Sequence, residues 1–143
     1  TEIIPVVAIP NFELSTEQAR SVLPDSYNRS DAIFNISRMG LLLRGLATNN
    51  SQWLHTALAD KIHQPYRQKL ITGYAEVQQA AIAAGAYGMV ISGAGPTLLA
   101  LTNSSQVDKV VQSMMIAWNK LDIDADVRSL ALDTVGATLN ANS

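Results

Sequence analysis

The sequence contains no cysteine, so it can form no disulfide bonds and carry out no thiolate chemistry, a composition that suits the cytoplasm. Its net charge of −2 provides no broad basic field, which argues against nucleic acid and anionic membranes as partners. No apolar run reaches the length of a membrane span, and no signal-peptide pattern opens the chain. The 48% hydrophobic and 15% charged residues that are present indicate a globular domain.

The length of 143 residues fits one compact domain with a single core. We therefore expect one domain over residues 1–143. The first residue is Thr1 rather than methionine, and an apolar, strand-like run follows at once. For this reason we expect the chain to be part of a longer protein.

Apolar patterning and turn residues predict elements in the order β-α-α-α-α-β-β-α-β. Strands are expected at 3–9, 88–91, 97–102 and 122–130, and helices at 15–23, 31–47, 51–58, 64–85 and 105–121. The small, polar tail after Gly136 is expected to fray. Because strands and helices are grouped rather than alternating, the predicted fold class is α+β, an antiparallel sheet of about four strands with helices packed on one face.

Three of the predicted helices carry apolar stripes at helical spacing. We expect the sheet and its helices to bury all three stripes. Their members are Ala32, Ile36, Met39, Leu43 and Ala47 in the helix at 31–47; Tyr66, Leu70, Tyr74, Val77, Ala81 and Ala84 in the helix at 64–85; and Val107, Val111, Met114, Trp118 and Leu121 in the helix at 105–121.

A loop of small residues at 92–97, Ser-Gly-Ala-Gly-Pro-Thr, lies between two apolar runs. Its glycines can take positive φ and its proline fixes φ, so a stiff turn between two strands is predicted. The loop is either a plain hairpin connection or a surface whose amides and Thr97 hydroxyl face a phosphate. It is not a P-loop, because no Gly-Lys-Ser/Thr follows, and Leu98 stands where a dinucleotide fingerprint has its third glycine.

Two arginines are candidates for binding an anion. Ser15 and Gln18 form a capping box that begins a helix, and four-residue spacing places Thr16 and Arg20 on one face near its N-terminus. A hydroxyl, a guanidinium and free amides can together hold a carboxylate; the alternative is an ordinary solvated arginine. Arg67 lies in the first turn of a predicted helix, where the dipole disfavours a cation. It therefore either binds an anion or pairs with a nearby acid.

A second polar group lies on the helix predicted at 31–47. Asp31, Asn35 and Arg38 share a face away from the apolar stripe, and they form either a polar site or a capping aspartate beside an ion-paired surface. The chain has two histidines, His55 and His63. Neither their spacing nor their number predicts a metal site, so we expect structural or exposed histidines.

The glycine loop, followed by Leu-Leu-Ala-Leu, resembles the third conserved motif of the GHMP small-molecule kinases, and its Gly-Pro-Thr form is most similar to homoserine kinases. Ala94 stands where many members have serine. Other segments resemble the C-terminal half of the same family in the same order. They are Ala8-Ile9-Pro10, the run 15–20, Leu23-Pro24, Asp31-Ala32-Ile33-Phe34-Asn35 with Arg38, and Pro65-Tyr66-Arg67.

The resemblance implies a ferredoxin-like C-terminal domain of a two-domain, often dimeric enzyme. This enzyme uses ATP and Mg²⁺ to phosphorylate the hydroxyl of L-homoserine for threonine synthesis. By the same resemblance, Thr16, Arg20 and Arg67 hold the amino acid, with both arginines on its carboxylate. No catalytic residue or metal ligand of the family falls in this chain.

The resemblance further implies that Gly93, Gly95 and Thr97 shape the phosphate site. The family's main ATP-binding loop, part of an N-terminal domain, is not among these residues. We therefore predict that the 143 residues alone have no kinase activity. Two alternatives stay open: the C-terminal domain of another GHMP kinase, such as one acting on mevalonate, or a non-catalytic ligand-binding α+β module.

Overall fold

The computed structural model describes residues 3–133 and 135–137. The predicted fraying of the tail falls mostly outside these residues. No helix in this part of the chain combines the length and the apolar character needed to cross a membrane. The strands are β1 (Ile3–Pro10), β2 (Gly88–Ile91), β3 (Leu98–Asn103) and β4 (Ala125–Ser129); the helices are α1 (Thr16–Ser21), α2 (Arg29–Thr48), α3 (Ser51–Ala57), α4 (Gln64–Arg67), α5 (Tyr74–Ala83) and α6 (Val107–Asn119), with a 3₁₀ turn at Gln68–Leu70.

The four strands form one antiparallel sheet in the order β2-β3-β1-β4. This order, with helices between β1 and β2 and between β3 and β4, is that of a ferredoxin-like α+β domain. The predicted fold class is confirmed. Strand β1 pairs Val6 with Ala100 of β3 and Ala8 with Val127 of β4, so the longest strand lies inside the sheet.

The core lies between one face of the sheet and helices α5 and α6. Alternate residues of β1 and β3 point into it, as the two-residue period of a strand requires. On α6 the stripe side chains Met114 and Trp118 are fully buried, and the Trp118 indole N–H donates to the Thr72 carbonyl at 2.9 Å. The predicted alternation of the last strand is also present, because Ala125 and Val127 pack against the core while Asp126 is exposed.

The two predicted helix beginnings at serine have different outcomes. The capping box at Ser15 is present, with Gln18 N donating to Ser15 Oγ and Ser15 N donating to Gln18 Oε1, both at 3.0 Å. The beginning predicted at Ser105 is wrong. There the side chain donates to Asn103 Oδ1 at 2.6 Å, and α6 begins two residues later at Val107. A local side-chain bond within the turn has replaced the cap.

The single helix predicted at 64–85 is wrong. The structure divides it into α4, the 3₁₀ turn and α5, with Gly73 before α5 at φ +78°. A Cβ at this glycine would lie 2.6 Å from Leu121 Cδ1 and 3.0 Å from Trp118 Cδ1. The break therefore lets the chain pass close to the end of α6 in a conformation that glycine adopts readily.

The expected burial of the α2 stripe is also wrong. Ile36 is 74% exposed, Met39 60% and Leu43 62%. Helix α2 packs instead on α3 through Gly45, whose Cβ position is 3.1 Å from Leu54 Cδ2. Periodicity marks which face of a helix is apolar, but the sheet already has α5 and α6 on its core face.

Candidate functional site

Helix α1 is a short helix whose beginning is fixed by its own side chains. The capping box at Ser15 satisfies the first amides, and Ala19 is buried. Thr16 is the first residue of the helix and Arg20 lies in its last turn, and both are exposed. Their side chains are therefore accessible from outside the domain.

Arg67, the last residue of α4, joins three segments that are distant in sequence. Its Nε donates to the Ala19 carbonyl of α1 at 3.0 Å, and its Nη1 donates to the Gly93 carbonyl of the glycine loop at 3.2 Å. Since a guanidinium has five N–H donors, these two bonds leave others for a ligand. The structure thus places Arg67 in contact with Gly93 and with Ala19, the residue before Arg20.

The glycine loop closes the β2–β3 hairpin. Ser92 N donates to the Thr97 carbonyl at 2.9 Å, and Gly95 N donates to the Ser92 carbonyl at 3.1 Å. Both glycines have positive φ, +61° at Gly93 and +90° at Gly95. A Cβ at Gly95 would lie 3.2 Å from Ile71 Cδ1, whereas a Cβ at Gly93 would meet no atom within 4 Å. Gly95 therefore packs the loop against the domain, and Gly93 faces open space.

Thr97 lies beside the beginning of α1. It is half-buried, and with Leu14, Ser15 and Pro96 it lines a surface cavity of about 500 Å³. Arg67 contacts α1 at Ala19, and Thr97 lines the same cavity as Ser15, the residue before α1. The predicted substrate-binding and phosphate-site segments are thus neighbours in space.

Helix α4 is held in place by Asp60. Its Oδ2 accepts from the backbone amides of Gln64 at 2.6 Å and His63 at 2.7 Å, and its Oδ1 accepts from Asn35 Nδ2 of α2 at 2.5 Å. Burial raises the pKa of the Asp60 carboxyl, but these hydrogen bonds outweigh it, and the pKa lies below its ordinary value of 3.8. The ionised carboxylate therefore joins α2 to the beginning of α4.

The Gln64 side chain ties α4 to the sheet. Its Oε1 accepts from the Ile91 amide of β2 at 3.0 Å and from the Tyr74 hydroxyl at 3.3 Å. Burial, together with the charge of Asp60, raises the pKa of that hydroxyl, so Tyr74 remains a donor in the neutral pH range. Asp60 and Gln64 thus fix the beginning of α4, and the two carbonyl contacts of Arg67 fix its last residue. Arg67 is therefore positioned by contacts within the fold.

A cavity of about 380 Å³ opens next to Arg67, between α2, α4 and the end of β2. The polar side chains that line it come from three segments, and they carry two positive charges and one negative charge if histidine is neutral. They are Asn35, Arg38, Asp60, His63, Gln64 and Arg67. The Gly93 backbone completes one side, so the cavity is continuous with the contact between Arg67 and the glycine loop.

Two residues that organise this site, Asp60 and Gln64, were not predicted from the sequence. A signal for Asp60 was present, because an aspartate shortly before His63-Gln64-Pro65 resembles a side chain that caps a helix with proline in its first turn. No local pattern indicates that Gln64 Oε1 accepts from an amide of a strand 27 residues later.

Comparison with known protein families shows which family the chain belongs to. The family described as "GHMP kinases C terminal" matches residues 36–120, more than half of the sequence. The chain therefore belongs to the GHMP kinase C-terminal family, which confirms the resemblance seen in the glycine loop.

Particular relatives carry a more specific name. A homoserine kinase of Crocosphaera subtropica is 63% identical over 142 residues, covering 99% of this chain and 46% of that protein. A homoserine kinase of Trichormus variabilis is 64% identical over 137 residues, covering 96% of this chain and 45% of that protein. The chain thus spans about half the length of these relatives.

Two solved structures have a fold similar to that of this chain. The crystal structure of homoserine kinase from Cytophaga hutchinsonii superposes with a TM-score of 0.87 at 32% identity, covering 92% of this chain and 42% of that one. The structure of a putative homoserine kinase from Listeria monocytogenes gives a TM-score of 0.57 at 24% identity, covering 88% of this chain and 40% of that one. The second likeness supports the fold alone.

Proposed function

We propose that this chain is the amino-acid-binding portion of a homoserine kinase, a cytoplasmic enzyme of threonine biosynthesis that transfers the γ-phosphate of ATP to the hydroxyl of L-homoserine. The observation that carries the proposal is the Arg67 guanidinium, which lies between Ala19 of α1 and Gly93 of the glycine loop. The names of the relatives, at above 60% identity, supply the substrate.

In this proposal Arg67 and Arg20 bind the α-carboxylate of homoserine, and the Thr16 hydroxyl donates to it. A planar guanidinium suits the task because it can bind a carboxylate through two parallel hydrogen bonds. Arg67 is already oriented by two backbone carbonyls, so little of its freedom remains to be lost on binding. Fixing one end of a short amino acid restricts where its hydroxyl can lie, which assists transfer by orientation.

The glycine loop has the complementary role of shaping the phosphate site, through Gly93, Gly95 and Thr97. The open space beside Gly93 leaves room for a phosphate to approach the backbone closely, which a side chain would hinder. Gly95 contributes indirectly, since its packing against Ile71 and Ile91 fixes the loop on the domain.

ATP and Mg²⁺ would complete the reaction, with the metal neutralising phosphate charge. No group of three or more His, Asp or Glu side chains that could hold a metal ion occurs within residues 3–133 and 135–137. A Mg²⁺ ion would therefore take its ligands largely from phosphate oxygens, water and other parts of the enzyme. In this proposal an N-terminal domain supplies the main ATP-binding loop, the enzyme forms a homodimer, and neither nucleic acid nor membrane is a partner.

The test is a kinetic one on the longer enzyme that contains this chain. ADP release is followed with ATP and either L-homoserine or mevalonate, and the 143-residue chain is assayed in parallel. We expect turnover of the longer enzyme with homoserine only, and none with the chain alone. Turnover with mevalonate in place of homoserine would contradict the proposed substrate. Turnover by the chain alone would contradict the proposal that an N-terminal domain completes the site.

A further inference from the structure

Arg38 of α2 is a partly buried cation without a counter-ion among the described residues. Its Nε is buried and has no hydrogen-bond partner. The ion pairs found in residues 3–133 and 135–137 are Lys61–Asp31 and Arg128–Asp126, and the contact between His63 and Asp60 is a third only when the histidine is protonated. None of them includes Arg38. A buried donor that lacks a partner destabilises the fold. Because no ligand can reach the buried Nε, the Nη groups of the same guanidinium are the donors that a ligand could meet.

Two acids that contact α2 or lie in it, Asp31 and Asp60, have other partners. Asp31 pairs with Lys61 at 3.4 Å. Asp60 accepts from two backbone amides and from Asn35, which accounts for both of its oxygens. Within the part of the chain that the structure describes, Arg38 thus has an aromatic ring beside it and no carboxylate paired with it.

That aromatic surface is the ring of Phe34. The Arg38 Cζ lies 4.2 Å from the ring centroid, and Lys61 Nζ lies 4.6 Å from the same centroid. A cation over the face of an aromatic ring is attracted to it without a conventional hydrogen bond, and the N–H groups of a guanidinium point outward in its own plane, where they can donate to a ligand. Arg38 is thus held in place by a contact that uses none of its donors.

Arg38 lines the cavity of about 380 Å³ that also contains Arg67 and the Gly93 backbone. We infer that Arg38 is an anion-binding residue of this cavity and that its ligand is an oxyanion, either the carboxylate of the amino acid or a phosphate of the nucleotide. The inference rests on the proposed function for the identity of these two ligands. It adds to the predicted site a third arginine, from a different helix.

The first experiment needs no substitution. In ¹H–¹⁵N spectra of the 143-residue chain, the Arg38 Nε–H signal is followed during titration with inorganic phosphate or with acetate. We expect it to shift in a saturable manner with at least one of the two ions, and the signal of Arg44 on the same helix to stay in place. A signal that stays in place with both ions would overturn the inference.

The second experiment separates the two ligands in the longer enzyme. Dissociation constants for L-homoserine and for a non-hydrolysable ATP analogue are measured by calorimetry in the native protein, Arg38→Gln, Arg38→Lys and Arg44→Gln. Loss of a charge-assisted hydrogen bond should weaken one ligand about ten- to one-hundred-fold in Arg38→Gln. Arg38→Lys should recover part of this loss, and Arg44→Gln should bind both ligands as the native protein does.

Weaker homoserine binding assigns the carboxylate to Arg38, and weaker binding of the ATP analogue assigns a phosphate. Unchanged affinity for both ligands would overturn the inference. This includes the outcome in which Arg38→Gln lowers stability but not affinity, as expected if Arg38 pairs with a carboxylate from another part of the polypeptide. Native turnover of homoserine with no effect of Arg38→Gln would leave the proposed function standing and reject Arg38. Binding of either ligand that depends on Arg38, without turnover of homoserine, would support the role of Arg38 and reject the proposed function.

Discussion

Helices α6 and α2 both carry apolar residues at helical spacing, but the apolar side of α6 is much more sharply defined, and the two helices occupy different environments. On α6, Met114 and Trp118 are 0% exposed, whereas on α2, Ile36 and Leu43 are 74% and 62% exposed. The first helix lies on the sheet, and the second packs on α3. The comparison teaches that periodic apolar residues do not by themselves ensure burial, which here goes with a sharply defined apolar side and a place on the sheet.

The candidate site lies where these two regions meet. Asn35 and Arg38 of α2 face a cavity whose other side includes Ile91 of β2 and Arg67 of α4. The hydrogen bond between Asn35 and Asp60 joins the α2–α3 pair to the helix that carries Arg67. The site therefore depends on both regions, and substitutions in each should have separable consequences.

The largest expected effect is on the sheet side of the comparison. Trp118→Ala should lower the free energy of unfolding by about 3–5 kcal/mol, since it leaves a cavity in the core. It also removes the partner of the Thr72 carbonyl. Urea unfolding followed by circular dichroism measures the change.

Leu43→Ala is the matched substitution on α2. Because Leu43 is 62% exposed, the change in the 143-residue chain should lie within about 0.5 kcal/mol. A loss comparable to that of Trp118→Ala would show that the α2 stripe is buried in solution, and the comparison would fail.

The next effect is at the junction between the two regions. Asp60→Ala should cost about 1.5–3 kcal/mol, because it leaves the amides of His63 and Gln64 and the amide group of Asn35 without their acceptor. The same unfolding measurement applies, with Asp108→Ala, an exposed acid in the first turn of α6, as the control.

The pH dependence of this effect has a definite sign. Since the folded pKa of Asp60 lies below its ordinary value of 3.8, the unfolded chain takes up the proton first as the pH falls. The stability that the carboxylate contributes is complete above the ordinary value and is lost as the pH falls through the folded pKa. The difference in the free energy of unfolding between the native protein and Asp60→Ala should therefore be constant near neutral pH and shrink in acid. A difference that grows in acid would contradict this prediction.

An effect smaller than that of Asp60→Ala distinguishes the two faces of α2. A Cβ at Gly40 would meet no atom within 4 Å, whereas one at Gly45 would lie 3.1 Å from Leu54 Cδ2. Gly40→Ala should stabilise the chain by about 0.5–1 kcal/mol through helix propensity. Gly45→Ala should stabilise the chain less than this or destabilise it, because Leu54 must move. Thermal unfolding of the two variants measures the difference. Equal stabilisation would show that α2 and α3 do not pack as described.

The sequence predicted those parts of the fold that local chemistry determines. The hairpin around the glycine loop, the cap at Ser15 and the alternation of the last strand all depend on neighbouring residues. The break at Gly73 was missed because a lone glycine is tolerated within a helical pattern. The reason for it is the proximity of Trp118 and Leu121, which only the folded chain provides.

The candidate site was predictable in its residue types but not in its connections. Arg67 was singled out because a cation in the first turn of a long helix needs a partner. That premise is wrong, since Arg67 is the last residue of the short helix α4, and its partners are carbonyls 48 and 26 residues away. No pattern of short range contains such pairings. The roles of Thr16, Arg20 and Arg67 in binding substrate stay predictions.

The most direct test asks whether Arg67 recognises a carboxylate or only holds α1 and the glycine loop together. In the longer enzyme, kcat/KM is measured for L-homoserine and for L-homoserine amide, which lacks the carboxylate charge, in the native protein, Arg20→Ala, Arg67→Ala and the control Arg44→Ala. We expect Arg67→Ala to reduce kcat/KM about ten- to one-hundred-fold for homoserine and much less for the amide, so that the preference for the acid collapses. An equal loss for both substrates would contradict the carboxylate assignment and leave Arg67 a purely structural residue.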